Sequence, residues 1–258
     1  MTLPAELAAL AASPGQLLVA LDFDGTLAPF VDSPNDARAL PLAQIALDEL
    51  RTAPSLELAL VSGRAIDSLL IVADPHTDIH LIGSHGAEHR YAGQDLVRVG
   101  GAGQRLPELA ERVARTAARL PAVRLEAKPA GFALHTRGGG EEARSQAEIV
   151  LREELRGAPS EWTVRLGKDV VEVGLHAVTK GTALDELRRV LAVAHVLFAG
   201  DDVTDEDAFR VLRATDIGIK IGPGETAARL RLADPAELAE TLRMFAAARR
   251  AGAACSSS

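Results

Sequence analysis

Leu17, Leu18, Val19, Ala20 and Leu21 form an apolar run without polar alternation, and it stops at Asp22-Phe23-Asp24-Gly25. A strand of that composition must be covered on both faces, which points to a central strand in a parallel sheet flanked by helices. The surrounding pattern agrees. Residues 39–51 carry Leu42, Ile45, Ala46 and Leu50 at helical spacing, residues 56–61 form a second apolar run that closes on Ser62-Gly63, 65–72 read as a helix and 80–83 as a strand. The same alternation resumes after residue 182 with a helix at 183–191, a strand at 195–199, a helix at 206–213 and a strand at 216–221. A last helix at 235–250 carries Leu238, Leu242 and Phe245 along one side, and residues 1–12 read as a short first helix. Strands and helices alternating in this way specify an α/β fold with right-handed crossovers.

The rhythm changes in the middle. Leu106, Leu109, Val113, Ala117 and Leu120 mark a helix, followed by strands at 122–128 and 131–137. A second helix at 141–155 is followed by strands at 162–166 and 169–174, so the unit helix, strand, strand occurs twice. This reads as an antiparallel α+β domain inserted into the α/β core. The expected organisation is a core of residues 1–101 and 179–250, an inserted domain of 102–178 and a disordered tail of 251–258.

Charge narrows the function. A net charge of -8 excludes the basic surface that nucleic acid or an anionic membrane requires, so an anionic substrate has to be met locally, by a metal or a few cations. Cys255 is the single cysteine, no apolar run reaches membrane-spanning length, and Glu6 sits in an N-terminus without a basic flank. The reading from these features is a cytoplasmic protein.

Asp22 and Asp24 follow the C-terminal end of a buried strand, the edge at which parallel sheets bind ligands. Asp beside Gly also suits a capped turn, while the further oxygen ligands of a calcium loop are missing. A second acidic group, Gly200-Asp201-Asp202-Val203-Thr204-Asp205-Glu206-Asp207, follows another apolar strand. Asp205, Glu206 and Asp207 fit the first turn of a helix, but Asp201 precedes it. If the two strands are neighbours, Asp22, Asp24 and Asp201 converge into an oxygen-donor set suited to Mg²⁺. Val61-Ser62-Gly63-Arg64 at a third strand end and Thr179-Lys180-Gly181 before a helix are turn or surface chemistry alone, but each suits phosphate oxygens.

Together and in this order, these four motifs resemble the haloacid dehalogenase (HAD) superfamily of aspartate-based phosphatases. The resemblance implies a Rossmann-like parallel-sheet core with the middle domain as a type 2 cap. It also implies Asp22 as nucleophile, Asp24 as general acid and base, and Ser62 and Lys180 as further catalytic groups. Mg²⁺ would be held by Asp22, Asp201 and the backbone carbonyl of Asp24, with Asp205 orienting metal-bound water and Thr26 hydrogen-bonding a phosphoryl oxygen.

The runs Gly83-Ser84-His85-Gly86-Ala87-Glu88, Glu126-Ala127-Lys128 and Val171-Glu172-Val173 are, with the acidic group, similar to those of trehalose-6-phosphate phosphatases. That family implies hydrolysis of trehalose 6-phosphate to trehalose and phosphate, the last step of trehalose biosynthesis, with Glu126, Lys128 and Glu172 binding glucose hydroxyls. His135, Arg137, His85 and Arg64 are further substrate-binding candidates. The strand alternation places Glu126, Lys128, His135, Arg137 and Glu172 on a face that equally suits plain solvation. The expected partner is a small-molecule sugar phosphate, met by a monomer without nucleic acid or membrane. Two alternatives stay open: a sugar phosphatase for sucrose 6-phosphate or mannosyl phosphoglycerate, and an inactive sugar-phosphate-binding regulatory domain.

Overall fold

The structure is a computed structural model of the 258-residue chain. It describes residues 2–31, 33–98, 105–120, 122–128, 131–156, 162–167, 169–175 and 178–256. They form two compact units, Met1–Val97 with Thr179–Ser258, and Arg98–Val178.

In the first unit, α1 (Ala5–Ala11), β1 (Leu17–Leu21), α2 (Pro41–Arg51), β2 (Leu56–Val61), α3 (Ile66–Ala73), β3 (His80–Gly83) and β4 (Glu88–Arg90) come before the second unit. A short strand β5 (Val97–Arg98) marks the passage into it. The helices and strands of the second unit are α4 (Arg105–Ala117), β6 (Arg124–Lys128), β7 (Gly131–His135), α5 (Gly140–Glu154), β8 (Trp162–Gly167) and β9 (Val170–Leu175). The chain then returns through α6 (Lys180–Leu191), β10 (His195–Gly200), α7 (Asp205–Val211), β11 (Ile217–Ile221), β12 (Leu230–Leu232) and α8 (Pro235–Ser256).

The large sheet runs β12-β11-β10-β1-β2-β3-β4-β5, parallel from β12 through β3, with β4 antiparallel to β3. Every residue of β1 is fully buried. Leu17, Val19 and Leu21 pack with α1, α2, α3 and α8, while Leu18 and Ala20 pack with α6 and α7. The unbroken apolar run is thus explained: both faces of the strand are core. The short strands β4, β5 and β12 have no counterpart in the sequence reading, because two or three residues are too few to set up a periodicity.

The last helix continues past Arg250 to Ser256, so the tail expected to be disordered is helical that far. Ala251, Ala253 and Ala254 are strong helix formers and extend the helix across Gly252. Arg249, near that end, is buried, and all five of its N–H groups reach backbone carbonyls: Nε to Pro54, Nη1 to Ala11 and Ser13, and Nη2 to Gly15 and Ser55. It ties α8 to the loops that enter β1 and β2.

The second unit is a four-stranded antiparallel sheet in the order β6-β7-β9-β8. Phe132, Leu134, Val171 and Val173 line one face and pack with Leu109, Val113, Ala117, Ala147 and Leu151 of α4 and α5. On the other face Glu126 stands opposite Ala133, and Ala133 opposite Glu172, so two carboxylates flank a strand whose residues there are Gly131, Ala133 and His135.

Candidate active site

Register brings the motifs together. Leu21 pairs with Ala199 of β10 on one side and Leu60 of β2 on the other, so Asp22, Asp201 and Ser62 emerge at one edge of the sheet. The N–H of Asp22 donates to Ala199 O at 2.9 Å, and that of Ser62 to Ile82 O at 2.9 Å. Gly25 has φ 79°, and a Cβ there would come within 2.2 Å of Asp201 Oδ2, so only glycine lets the Asp201 carboxylate lie over the first loop.

Lys180 joins the two acidic groups. The sequence reading placed it ahead of a helix beginning at 183, because Gly181 reads as a turn residue. In the structure it is the first residue of α6, capped by reciprocal Thr179 and Thr182 hydroxyl bonds. Gly181 belongs to that helix because a Cβ would meet Asp207 O at 2.3 Å, where α6 and α7 approach closely. The buried Lys180 Nζ donates to Asp22 Oδ1 at 2.8 Å and to Asp205 Oδ1 at 2.7 Å, and lies 3.9 Å from Asp202 Oδ1. The Thr26 hydroxyl is within reach of Asp22 Oδ2 at 3.0 Å and of Asp201 Oδ1 at 3.3 Å.

Asp205 shapes the second loop. Its Oδ2 accepts the N–H groups of Asp201 and Asp202, both at 2.9 Å, and its side chain packs on Gly200, where a Cβ would meet Asp205 Cγ at 2.2 Å. Asp202, to which the sequence reading gave no role, turns its Oδ1 to the N–H groups of Thr204 and Asp205 and so starts α7.

Electrostatics follow from burial and from the count of charges. Desolvation pushes the Asp22 carboxyl up to about 7 against the pull of Lys180, with Asp202 and Asp201 adding to the rise. Burial and then the charges of Asp205 and Asp202 raise Asp201 to about 6. Asp205 is raised well above the carboxylate range, again chiefly by burial. Burial also acts upward on Asp202, but Lys180 and hydrogen bonds from Asp205 and Thr204 outweigh it and hold this group at about 2. Burial acts to lower Lys180, but Asp22, Asp205 and Asp202 outweigh it and keep the ammonium charged. Four carboxylates around one ammonium leave an excess of negative charge that a divalent cation would offset.

The donor set fits such a cation. One carboxylate oxygen each from Asp22, Asp201 and Asp205 lie within 4.8 Å of one another. Asp205 is the most fully engaged of the three, with Oδ1 on Lys180 and Oδ2 on two loop N–H groups, while Asp22 and Asp201 carry fewer bonds.

Asp24 is half-buried and gripped by Arg64: Nε meets Oδ2 and Nη2 meets Oδ1, each at 2.6 Å. This fork-to-fork pair was not legible in the sequence, which assigned Arg64 to substrate. Ser62 is buried, and its Oγ accepts the Arg64 N–H at 3.1 Å. His85 follows Ser84 in the left-handed region, with φ 57° and 51°, and its N–H reaches Ser62 O at 3.1 Å. Its ring lies against Gly63, where a Cβ would meet His85 Cε1 at 2.6 Å. Buried Glu88, also not anticipated, secures this loop by accepting from Ile66 N at 2.9 Å and Ser84 Oγ at 3.0 Å.

In the second unit, His135 Nε2 meets Glu126 Oε2 at 2.5 Å, both partly exposed, and Glu172 lies one strand beyond Ala133. The sequence reading set Arg137 beside His135 on a strand, but β7 ends at His135 and Arg137 is exposed in the turn that follows, where strand alternation no longer applies. The Lys128 side chain lies outside the described residues. No helix among the described residues is long and apolar enough to cross a membrane.

The solved structure of the trehalose-6-phosphate phosphatase of Aspergillus fumigatus is similar, with a TM-score of 0.74 at 25% identity over 94% of this chain and 97% of that one. The trehalose-6-phosphate phosphatase of Escherichia coli is 32% identical over 232 residues, which are 88% of this chain and 85% of that protein. A bifunctional trehalose-6-phosphate synthase/phosphatase of Thermoproteus tenax is 32% identical over 222 residues, 84% of this chain, and the chain spans 30% of its length. A protein-family model described as trehalose-phosphatase matches residues 20–236, which takes in both strand-end carboxylate groups and everything between them. The chain therefore belongs to the trehalose-phosphatase family, within the HAD superfamily.

Proposed function

We propose that this protein hydrolyses trehalose 6-phosphate to trehalose and inorganic phosphate, with the phosphoryl group carried in passing on Asp22. One observation carries the mechanism: a buried carboxylate at the end of the central strand, held by Lys180 at 2.8 Å and by the Thr26 hydroxyl at 3.0 Å. A carboxylate fixed at both oxygens is oriented for in-line attack on phosphorus.

An Asp22 oxygen forms the new P–O bond as the bond to the sugar oxygen breaks, and Asp24 gives that oxygen its proton. Water then attacks phosphorus, the Asp22–phosphorus bond breaks, and Asp24 takes back a proton. One water is consumed. While it carries the proton, Asp24 keeps one oxygen on Arg64 and offers the other to the leaving group; Arg64 is thus an aligning partner for Asp24. Ser62 and Thr26 hydrogen-bond phosphoryl oxygens, and Lys180 neutralises charge on Asp22 and the phosphate. Mg²⁺, held by Asp22, Asp201 and the Asp24 carbonyl, would supply the charge that offsets repulsion between anionic nucleophile and anionic ester.

Selection of the sugar is assigned to the polar sheet face of the second unit. Glu126 and Glu172 stand two strands apart, about 10 Å, with small Ala133 between them, room for hydroxyls of one sugar ring. Lys128 and His135 complete the candidate set on this face; His85, in the first unit, is a separate candidate for substrate contact, and Arg137 lies in the turn after β7. The same reading has the protein act as a cytoplasmic monomer. An inactive regulatory role is disfavoured by the intact set of Asp22, Asp24, Lys180 and Asp201.

The test is phosphate release with Mg²⁺ from trehalose 6-phosphate, sucrose 6-phosphate, glucose 6-phosphate and mannosyl phosphoglycerate. Preference for the trehalose ester by at least tenfold in kcat/KM is expected. Equal turnover of another ester would overturn the substrate assignment, and no release from any would overturn the activity.

A further inference from the structure

β11 reads Ile217-Gly218-Ile219-Lys220-Ile221, a lysine in an otherwise apolar strand. Ile217, Ile219 and Ile221 belong to the core cluster shared with α1, α2 and α8. Gly218 faces the other way, where an added Cβ would meet Phe209 and Leu212 at 2.9 and 3.0 Å. Lys220 shares that side by alternation and is only 4% exposed. No carboxylate of the described residues lies within 4.0 Å of its Nζ. The ammonium donates instead to two backbone carbonyls, that of Asp201 and that of Ile221, the latter at 3.2 Å. A methionine would fill the space without desolvating a charge, so the fold alone gives no reason for lysine here.

The reason lies in the peptide that it holds. The N–H of Asp201 is bound by Asp205 Oδ2 at 2.9 Å, and its C=O by Lys220, so the backbone on either side of the Asp201 side chain is fixed. That side chain is what rests over Gly25 and reaches the Thr26 hydroxyl. We propose that Lys220 is a positioning residue for the cation site: by gripping the Asp201 carbonyl it holds the Asp201 carboxylate in its binding orientation before any cation arrives. The inference rests on the assignment of Asp201 as a cation ligand made above.

Two effects of Lys220 on a cation oppose each other, and they differ in sign when the lysine is removed. As a charge alone, Lys220 repels a divalent ion, so its loss would tighten binding. As a positioning group it preorganises a ligand, so its loss weakens binding. The experiment is calorimetric titration of the full chain with Mg²⁺, without substrate, for wild type, Lys220→Met, Lys220→Gln and Asp201→Asn.

Lys220→Met is expected to weaken Mg²⁺ binding at least tenfold, while KM for trehalose 6-phosphate at saturating Mg²⁺ stays within twofold. Lys220→Gln, which retains an N–H donor without the charge, should recover part of the loss. An unchanged or tighter Mg²⁺ Kd in a folded Lys220→Met protein overturns the proposal. If that variant does not fold, a wild-type or tighter Kd in Lys220→Gln overturns it, and a weaker one supports it. Should Asp201→Asn leave Mg²⁺ binding intact, the underlying ligand assignment has failed. Loss of binding in Asp201→Asn with none in Lys220→Met sinks the Lys220 inference alone.

Discussion

The two units carry their polar residues in opposite ways. In the first, Asp22, Lys180 and Asp205 are almost entirely buried and cross-braced by bonds of 2.7–3.0 Å. In the second, Glu126 and His135 form a pair with 55% and 36% of their side chains exposed, on a sheet whose stability comes from its opposite face. Attack on phosphorus needs atoms held to a fraction of an ångström, which buried, mutually satisfied groups provide. Recognition of hydroxyls needs donors and acceptors that water can leave, and exposed side chains on a rigid sheet meet that need at little cost to folding.

Four substitutions and one change of conditions press on this contrast. Asp22→Asn should reduce phosphate release by at least about a thousandfold while the far-ultraviolet circular dichroism stays native; activity near wild type would remove Asp22 from the chemistry. Lys180→Met leaves buried carboxylates without their cation and should cost about 3 kcal/mol in urea unfolding at pH 8. In the second unit, Glu126→Ala and Glu172→Ala should each change stability by less than about 0.5 kcal/mol. Each should also raise KM for trehalose 6-phosphate roughly tenfold and spare an aryl phosphate, and a Glu172→Ala protein as unstable as Lys180→Met would erase the contrast.

The smallest effect concerns pH. Asp22 and Asp201 titrate in the fold at about 7 and about 6, above their usual 3.8. Groups raised in this way favour the folded state in their protonated form, so stability from them is present below about pH 4 and is lost as pH rises through 6 to 7. A cation bound by these carboxylates would take the place of those protons. Added Mg²⁺ should therefore raise Tm by a few degrees more at pH 8 than at pH 5. Equal shifts at both values would detach the cation from these carboxylates.

Local pattern carried much of this molecule. The apolar run of β1, the helix periods and the doubled helix-strand-strand unit all stand in the order expected, because burial on one or both faces dictates residue type at each position. Asp22, Ser62, Lys180 and Asp201 were legible because each sits at the end or start of such an element. What escaped was set by partners far along the chain. Arg64 meets Asp24 across 40 residues, and Lys220 reaches back 19 residues to a carbonyl, which no side-chain pattern encodes. The helical start at Lys180 was hidden by Gly181, whose presence answers to the Asp207 carbonyl and not to a turn.

The first unit is interrupted and the second is continuous, and this sets an order of events during synthesis. Residues 98–178 are all present once the ribosome has passed them, and among the described residues β6, β7, β8 and β9 pair only with one another. β1 lacks one of its two neighbours until β10 emerges, and the loops before β1 and β2 lack their fastening until Arg249 does. Among the described residues the strands of the second unit are thus complete before those of the first, and the carboxylates of Asp22, Asp201 and Asp205 can gather only after β10 and the start of α7 have been made.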